Sequence, residues 1–450
     1  MPLPKLSLRK IVLSSKELFI FAIPIVLGQL GQMLIGAGDV LVAAKYSTEA
    51  VAATGVATGF ISPLFVAGLS CLAGISPILA KRRGEGEDVG KYLVTSIVYA
   101  VIVAIITQLL TLLLIQFIPY FNFEAKLIPL IRQYSIAFSF SFLGAFIFQA
   151  VKEFLQSFED VLFSNALSVI AVISNIALNY VFVFGLGPIP SYGVVGLAIA
   201  SIITRISLAI AIIIYAKKYL HSFSIFTTLF WEITKLSIPI AFTVGMEVAA
   251  FGLSSILTGM MGTIQAAAHN VILTLASITF MVPLAVSNAV AVKVGHAIGE
   301  KRIDRVFLFI ESALFLSLTF MSCSGLAFYF FPEYCLKLFS ADSQLIVVGV
   351  PILFIVALFQ LFDGVQVTLS GVLRGLGETY RVFFIIMVSY WIIGLPLGSY
   401  LAFNHHLLAR GIWIGLAIGL CCQAIGVSIL LKITTKKVEE KLILCNPSIL

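Results

Sequence analysis

Residues 236–258 read LSIPIAFTVGMEVAAFGLSSILT, and Glu247 is the one charged side chain in that run. A helix rises about 1.5 Å per residue, so the run suffices to cross a hydrocarbon layer of about 30 Å. Two questions follow from it. How often does such a run recur, and what is a carboxyl doing in the middle of one?

Working outward in both directions, comparable runs fill the chain at 18–44, 51–80, 92–117, 131–157, 162–185, 194–216, 234–258, 265–294, 306–330, 346–374, 383–403 and 412–433. Of the 450 residues, 60% are hydrophobic and 11% charged, with a mean hydropathy of +1.10. Soluble domains carry about 25% charged residues. Backbone groups in lipid must bond internally, so each run is expected to be a helix. The expected fold class is an all-α polytopic membrane protein with twelve transmembrane helices. The first run follows Lys5, Arg9, Lys10 and Lys16, yet it outlasts the about 7–15 apolar residues of a secretory signal and contains Asp39. It reads as the first span.

The net charge of +7 invites a nucleic-acid partner, but its placement speaks for topology. With the N-terminus inside, inner segments hold Lys5, Arg9, Lys10, Lys16, Lys81, Arg82, Arg83, Lys91, Lys217, Lys218, Lys235, Lys293, Lys301, Arg302, Arg305, Arg374, Arg381, Lys432, Lys436, Lys437 and Lys441. Outer segments hold Lys45, Lys126, Arg132, Lys337 and Arg410. Such an excess is the positive-inside pattern. It predicts a multi-pass protein of the plasma membrane, a bacterial inner membrane, with both termini cytoplasmic. The lipid bilayer, not nucleic acid, is the partner of the basic residues.

The chain also repeats itself. Shifted by 215 residues, 21–90 aligns with 236–305 without a gap. Ile23-Pro24-Ile25 falls on Ile238-Pro239-Ile240, Ala52-Ala53 on Ala267-Ala268, and the loop pair Gly84-Glu85 on Gly299-Glu300. Six spans per half is an even number, so the repeats run parallel, and transporters built this way place substrate between the halves. The expected division is an N-terminal six-helix lobe over 1–216, a cytoplasmic linker over 217–233, and a C-terminal six-helix lobe with its tail over 234–450. Duplication of a mere packing unit is the bland alternative. Pro24, Pro239, Pro283, Pro351 and Pro396 permit kinks within spans, and Gly411, Gly415 and Gly419 read as a packing seam.

Three acids sit deep in spans: Asp39, Glu247 and Asp363. A charge at mid-bilayer costs about 2.5–3.5 kcal/mol on insertion scales, so each is a functional candidate. Low dielectric disfavours the charged form of a carboxyl. Such a group can exchange a proton, bind a hard monovalent cation or attract a cationic drug. Competition between ion and drug at one site suffices for antiport when each favours a different conformation. One ion entering per monocationic drug leaving is electroneutral, whereas more than one acidic site permits two ions per drug. Asn175 and Asn179, one turn apart, can supply oxygen ligands or packing hydrogen bonds. Arg205, near the centre of the sixth span, is the one deep base, read as a structural ion-pair partner or part of a gate. Lys152 and Glu153 read as a snorkelling surface pair, and Phe138, Phe142 and Phe146 as lipid-facing or packing residues.

Other chemistries find no support in the motifs. The cysteines Cys71, Cys323, Cys335, Cys421, Cys422 and Cys445 are scattered, without C-x-x-C spacing. No metal site is expected beyond Na+ at the acids, and no catalytic group. The sequence holds no G-x-x-x-x-G-K-[ST], H-E-x-x-H or G-x-S-x-G, so the chain is read as no enzyme and as carrying no cofactor.

With these residues in view, the chain resembles the multidrug and toxic compound extrusion (MATE) family, in its NorM-like branch. Ile238-Pro-Ile-Ala-Phe-Thr-Val-Gly-Met-Glu247 resembles the family's seventh helix, and Val294-Gly-His-Ala-Ile-Gly-Glu300 the exit from the eighth. Phe362-Asp363-Gly-Val-Gln-Val, Gly371-Val-Leu-Arg-Gly375 and Tyr390-Trp-Ile-Ile-Gly-Leu-Pro396 resemble the tenth and eleventh. Asp39 takes the place of the first-helix aspartate, although Val40–Lys45 lacks the glycine usual there, and Asn175-Ile-Ala-Leu-Asn179-Tyr matches the fifth-helix pattern. The resemblance implies two lobes around a V-shaped cavity and a secondary active antiporter exporting small, often cationic organic compounds. It also implies Na+ or H+ as coupling ion at Asp39, Glu247 and Asp363. A monomer is expected to function. A lipid-linked oligosaccharide flippase of the same superfamily is the alternative, with a channel or intramembrane enzyme further off.

Overall fold

The computed structural model describes residues 8–121 and 123–445. Lys5 lies outside them, and the side chains of Lys441 and Cys445 are likewise not described. Among the described residues the chain is helical without a strand, one isolated bridge between Leu186 and Ile189 excepted. Twelve helical spans are long and apolar enough to cross a membrane. In order they are Arg9–Tyr46, Thr48–Gly84, Val89–Tyr120, Leu127–Ser157, Leu162–Phe184, Val194–Tyr219, Thr227–Gly259, Thr263–Gly299, Ile303–Phe330, Ser343–Gly375, Tyr380–Phe403 and Ala409–Glu440. They match the apolar runs one for one. Most run several residues past them, since each added helical residue closes one more backbone hydrogen bond whatever its side chain.

Three spans are interrupted where chemistry is placed. Span 2 stops after Ser70 and resumes at Ile75. Span 4 breaks between Ser139 and Phe142. Span 11 is π-helical over Met387–Gly394, immediately before Pro396, whose missing N–H disturbs the preceding turn. Across the same span, Gly411, Gly415 and Gly419 face Ala402, Gly398 and Gly394 so closely that a Cβ at Gly415 would strike the Gly398 backbone. The packing reading of those glycines holds.

The repeat is visible in the backbone. Left-handed residues occur at Gly86 and Lys301, and again at Gly193 and Leu408, each pair at the spacing found in the sequence. Lysine and leucine rarely accept that conformation, so the shared turn geometry outranks local preference in the second half.

By backbone proximity the chain divides into two compact units. One comprises the residues up to Ile23, Ala80–Gly86 and Phe242–Leu450; the other comprises Pro24–Leu79 and Glu87–Ala241. The boundaries at Ile23/Pro24 and Ala241/Phe242 fall beside the repeat-related prolines Pro24 and Pro239. Inside the first unit, the Lys293 ammonium meets Glu17, and Ser15 donates to the Ser312 carbonyl. Inside the second, Phe226 N–H donates to Thr95, and the Gly74 N–H donates to Ser237.

Candidate functional site

The first-half acid is positioned by small residues. Gly31 and Gly38 of span 1 lie against Ser168 and Ile176 of span 5, close enough that a Cβ at Gly38 would crowd the Ile176 side chain. Such close approach lets polar groups bond across helices in lipid. Asp39, 8% exposed, accepts a hydrogen bond from Asn179 Nδ2 at 2.7 Å, and that same amide donates to Asn175 Oδ1 at 3.1 Å. Ser201 of span 6 stands beside Asp39. Among the described residues, Asn175 Nδ2 and Asn179 Oδ1 are sealed from solvent without a bonding partner. Buried polar groups are almost always satisfied, so this cluster has vacant bonding capacity.

Arg205 belongs to the same cluster but does not pair with the acid. Its guanidinium carbon sits 4.7 Å from the ring centroids of both Phe65 and Phe138, and Nη1 donates to Ser141 Oγ at 2.8 Å. Among the described residues it forms no ion pair, although it lies within electrostatic range of Asp39 and Tyr134. Phe142 and Phe146 are fully buried packing residues around Phe65.

The second-half acids form a longer chain of contacts. Glu247 Oε1 of span 7 accepts from Gln423 Nε2 of span 12 at 3.3 Å, and the same amide donates to Gln366 Oε1 at 2.8 Å. Gln366 in turn donates to Asp363 Oδ1 at 3.3 Å, both residues belonging to span 10. Asp363 is 7% exposed, and neither acid forms an ion pair among the described residues. Gln423 Oε1 is sealed and unpartnered. The π-helical stretch borders the group, with Trp391 Nε1 donating to the Met246 carbonyl at 3.3 Å and the Tyr390 ring 5.9 Å from Phe251. Two carboxyls and a vacant amide oxygen suit a proton or a hard monovalent cation. No group of three or more His, Cys, Asp or Glu among the described residues is arranged for a metal.

The structure thus brings Glu247 and Asp363 into one network and puts Asp39 with Asn175, Asn179 and Arg205 in another. Gln366 and Gln423 escape the sequence reading, because an amide in an apolar span costs less than a charge and so stands out less. The three-residue spacing from Asp363 to Gln366, one helical turn, was the available signal. Lys152 and Glu153 depart from expectation. Both are 5% exposed, not snorkelling, and Glu153 accepts from Ser76 at 2.6 Å and Gln149 at 2.9 Å. Ser76 lies in the first turn of the helix that restarts span 2 at Ile75, and its hydroxyl donates to the buried carboxylate.

The family model MatE matches residues 24–181 and 239–400, one stretch in each half. The chain belongs to the MatE family. Among its curated relatives, the probable multidrug resistance protein NorM of Photorhabdus laumondii is 29% identical over 448 residues, spanning 95% of this chain and 97% of that one. The NorM of Bacillus licheniformis is 27% identical over 430 residues, 93% and 95% of the two chains. MdtK of Yersinia pestis is 25% identical over 440 residues, with the same coverage. In fold, the chain is similar to the Vibrio cholerae MATE transporter VcmN in its bent form (TM-score 0.85, 18% identity, 96% of this chain and 99% of that one). It is similar also to the eukaryotic MATE transporter AtDTX14 (TM-score 0.84, 20% identity, 96% and 100%). This MatE protein is a multi-pass membrane transporter and not an enzyme.

Proposed function

We propose that this MatE protein exports small amphipathic organic compounds, often cationic, in exchange for Na+ or H+ by alternating access. The observation that carries this reading is the linked pair Glu247 and Asp363, bridged by Gln423 and Gln366 with no base paired to either among the described residues. Two acids held away from bulk water gain from any cation that joins them. A cationic substrate and the coupling ion then compete, and exchange follows if the two favour different conformations. Asp39, with Asn175 and Asn179, is the first-half counterpart.

The moving bodies are the lobes 1–216 and 234–450 joined by 217–233, in line with parallel repeats in transporters. The multidrug resistance names of the NorM and MdtK relatives support the substrate class. The basic residues favour the plasma membrane with both termini cytoplasmic, and one chain holds both acid clusters, so a monomer suffices. The test is efflux from loaded vesicles under an imposed Na+ or H+ gradient, comparing wild type with Glu247→Gln, Asp363→Asn and Asp39→Asn. Gradient-driven efflux is lost in each variant while insertion is retained. Full activity in all three removes the assignment.

A further inference from the structure

The second-half network is all acid and amide, but the first-half network contains a cation that forms no ion pair among the described residues, with Asp39 only within electrostatic range. Arg205 lies near the middle of span 6, Val194–Tyr219. Its side chain is half-buried, and none of its nitrogens is both sealed and unpartnered. One of its five N–H donors goes to Ser141, and no other hydrogen bond or ion pair engages it among the described residues. A partly accessible guanidinium at mid-span is too costly to face hydrocarbon and faces water or a ligand.

The surroundings hold this group in place. Phe65 and Phe138 each lie 4.7 Å from the guanidinium carbon, within cation–π range, and a Cβ at Gly144 would strike the Arg205 carbonyl. Glycine there lets the backbone of span 6 settle on span 4 just past the break that presents Ser141. With the rings occupying the guanidinium and Ser141 fixing one nitrogen, the open positions are N–H edges. Such edges match a carboxylate in paired hydrogen bonds. Asp39 lies within electrostatic range but is bonded to Asn179 instead. One cluster therefore presents an unengaged positive edge and a separate negative one.

We propose that Arg205 is an anion-binding group of the transport site, holding the carboxylate of zwitterionic amphiphiles whose cationic end is drawn to Asp39. The proposal rests on the export reading above and narrows its substrate class. Cationic compounds that carry a carboxylate become substrates, and the acid form gains a contact its ester lacks.

The experiment uses the full-length protein in liposomes and two probes, a cationic xanthene dye with a free benzoate and the methyl ester of the same dye. The readout is the ratio of acid to ester efflux, which cancels differences in protein yield. Wild type expels both dyes. In Arg205→Gln the ratio falls about tenfold, equivalent to about 1.4 kcal/mol. Arg205→Lys, which keeps the charge but loses the planar fork, falls in between. An unchanged ratio in both variants overturns the proposal, as does a wild-type protein that expels the ester and ignores the acid. That wild-type comparison holds even if neither variant folds. A wild type that expels neither dye under any gradient strikes the export reading instead.

Discussion

The two halves share a scaffold and differ in what they bury. In the first, the Asp39 cluster has one acid, bonded by an asparagine, and an arginine that forms no ion pair among the described residues, while Lys152 and Glu153 are buried elsewhere in that half. In the second, two acids are strung together through two glutamines, with no base paired to them among the described residues. Two turns repeat their left-handed backbone, at Gly86 and Lys301 and at Gly193 and Leu408, whereas the polar interior does not repeat. Helix lengths and turns are set by the bilayer and by backbone hydrogen bonding, which act on both halves alike. Buried charge is an added cost that only a function requires in each place. The doubled framework can therefore host a cation-loading site on one side and a site of mixed charge on the other.

The largest expected effect bears on the second half. Asp363→Asn or Glu247→Gln lowers gradient-driven efflux by about a hundredfold, as loss of a buried charge worth roughly 3 kcal/mol would. Vesicle efflux rates check this, and activity within a few-fold of wild type would shift the cation site to the first half. Next comes the membrane potential. If two ions load per monocationic substrate, a 100 mV potential is worth about 2.3 kcal/mol for the net charge moved, or about fiftyfold in the accumulation ratio. Valinomycin-clamped vesicles measure it, and indifference to the potential means one-for-one exchange.

Smaller effects sharpen the contrast. Gln423→Leu cuts the bridge between Glu247 and Gln366 and raises the ion concentration for half-maximal efflux about tenfold, since hydrogen bonds to charged groups are worth about 1.5–3 kcal/mol. An unaltered ion dependence would make the glutamine a packing residue. The smallest effect lies between spans 4 and 5. Burial opposes ionisation of Asp160, but hydrogen bonds from Lys218, Tyr219 and Tyr215 and the Lys218 charge outweigh it and hold the carboxyl below the usual carboxylate range. Its contribution is present above the unfolded-state value and is lost as pH falls through the lowered folded one. Because the Lys218 ammonium is exposed and screened while the carboxyl is part-buried, Asp160→Asn costs about 1 kcal/mol in thermal unfolding at neutral pH, and the difference from wild type vanishes in acid.

Sequence alone was enough for the twelve spans and the parallel repeat, because crossing lipid imposes length and apolarity; it singled out Asp39, Glu247 and Asp363 as charges within spans but missed the burial of Lys152 and Glu153. It pointed to Asn175 and Asn179 by their spacing, and Asn179 does reach Asp39. Only the tertiary structure decided that Gln366 and Gln423 join Glu247 to Asp363, that Glu153 is enclosed by Ser76 and Gln149, and that Arg205 stands between two phenylalanines instead of against an acid. Those outcomes turn on which way each helix faces and where it breaks. A uniformly apolar run carries little information about its own rotation, and packing between helices supplies it.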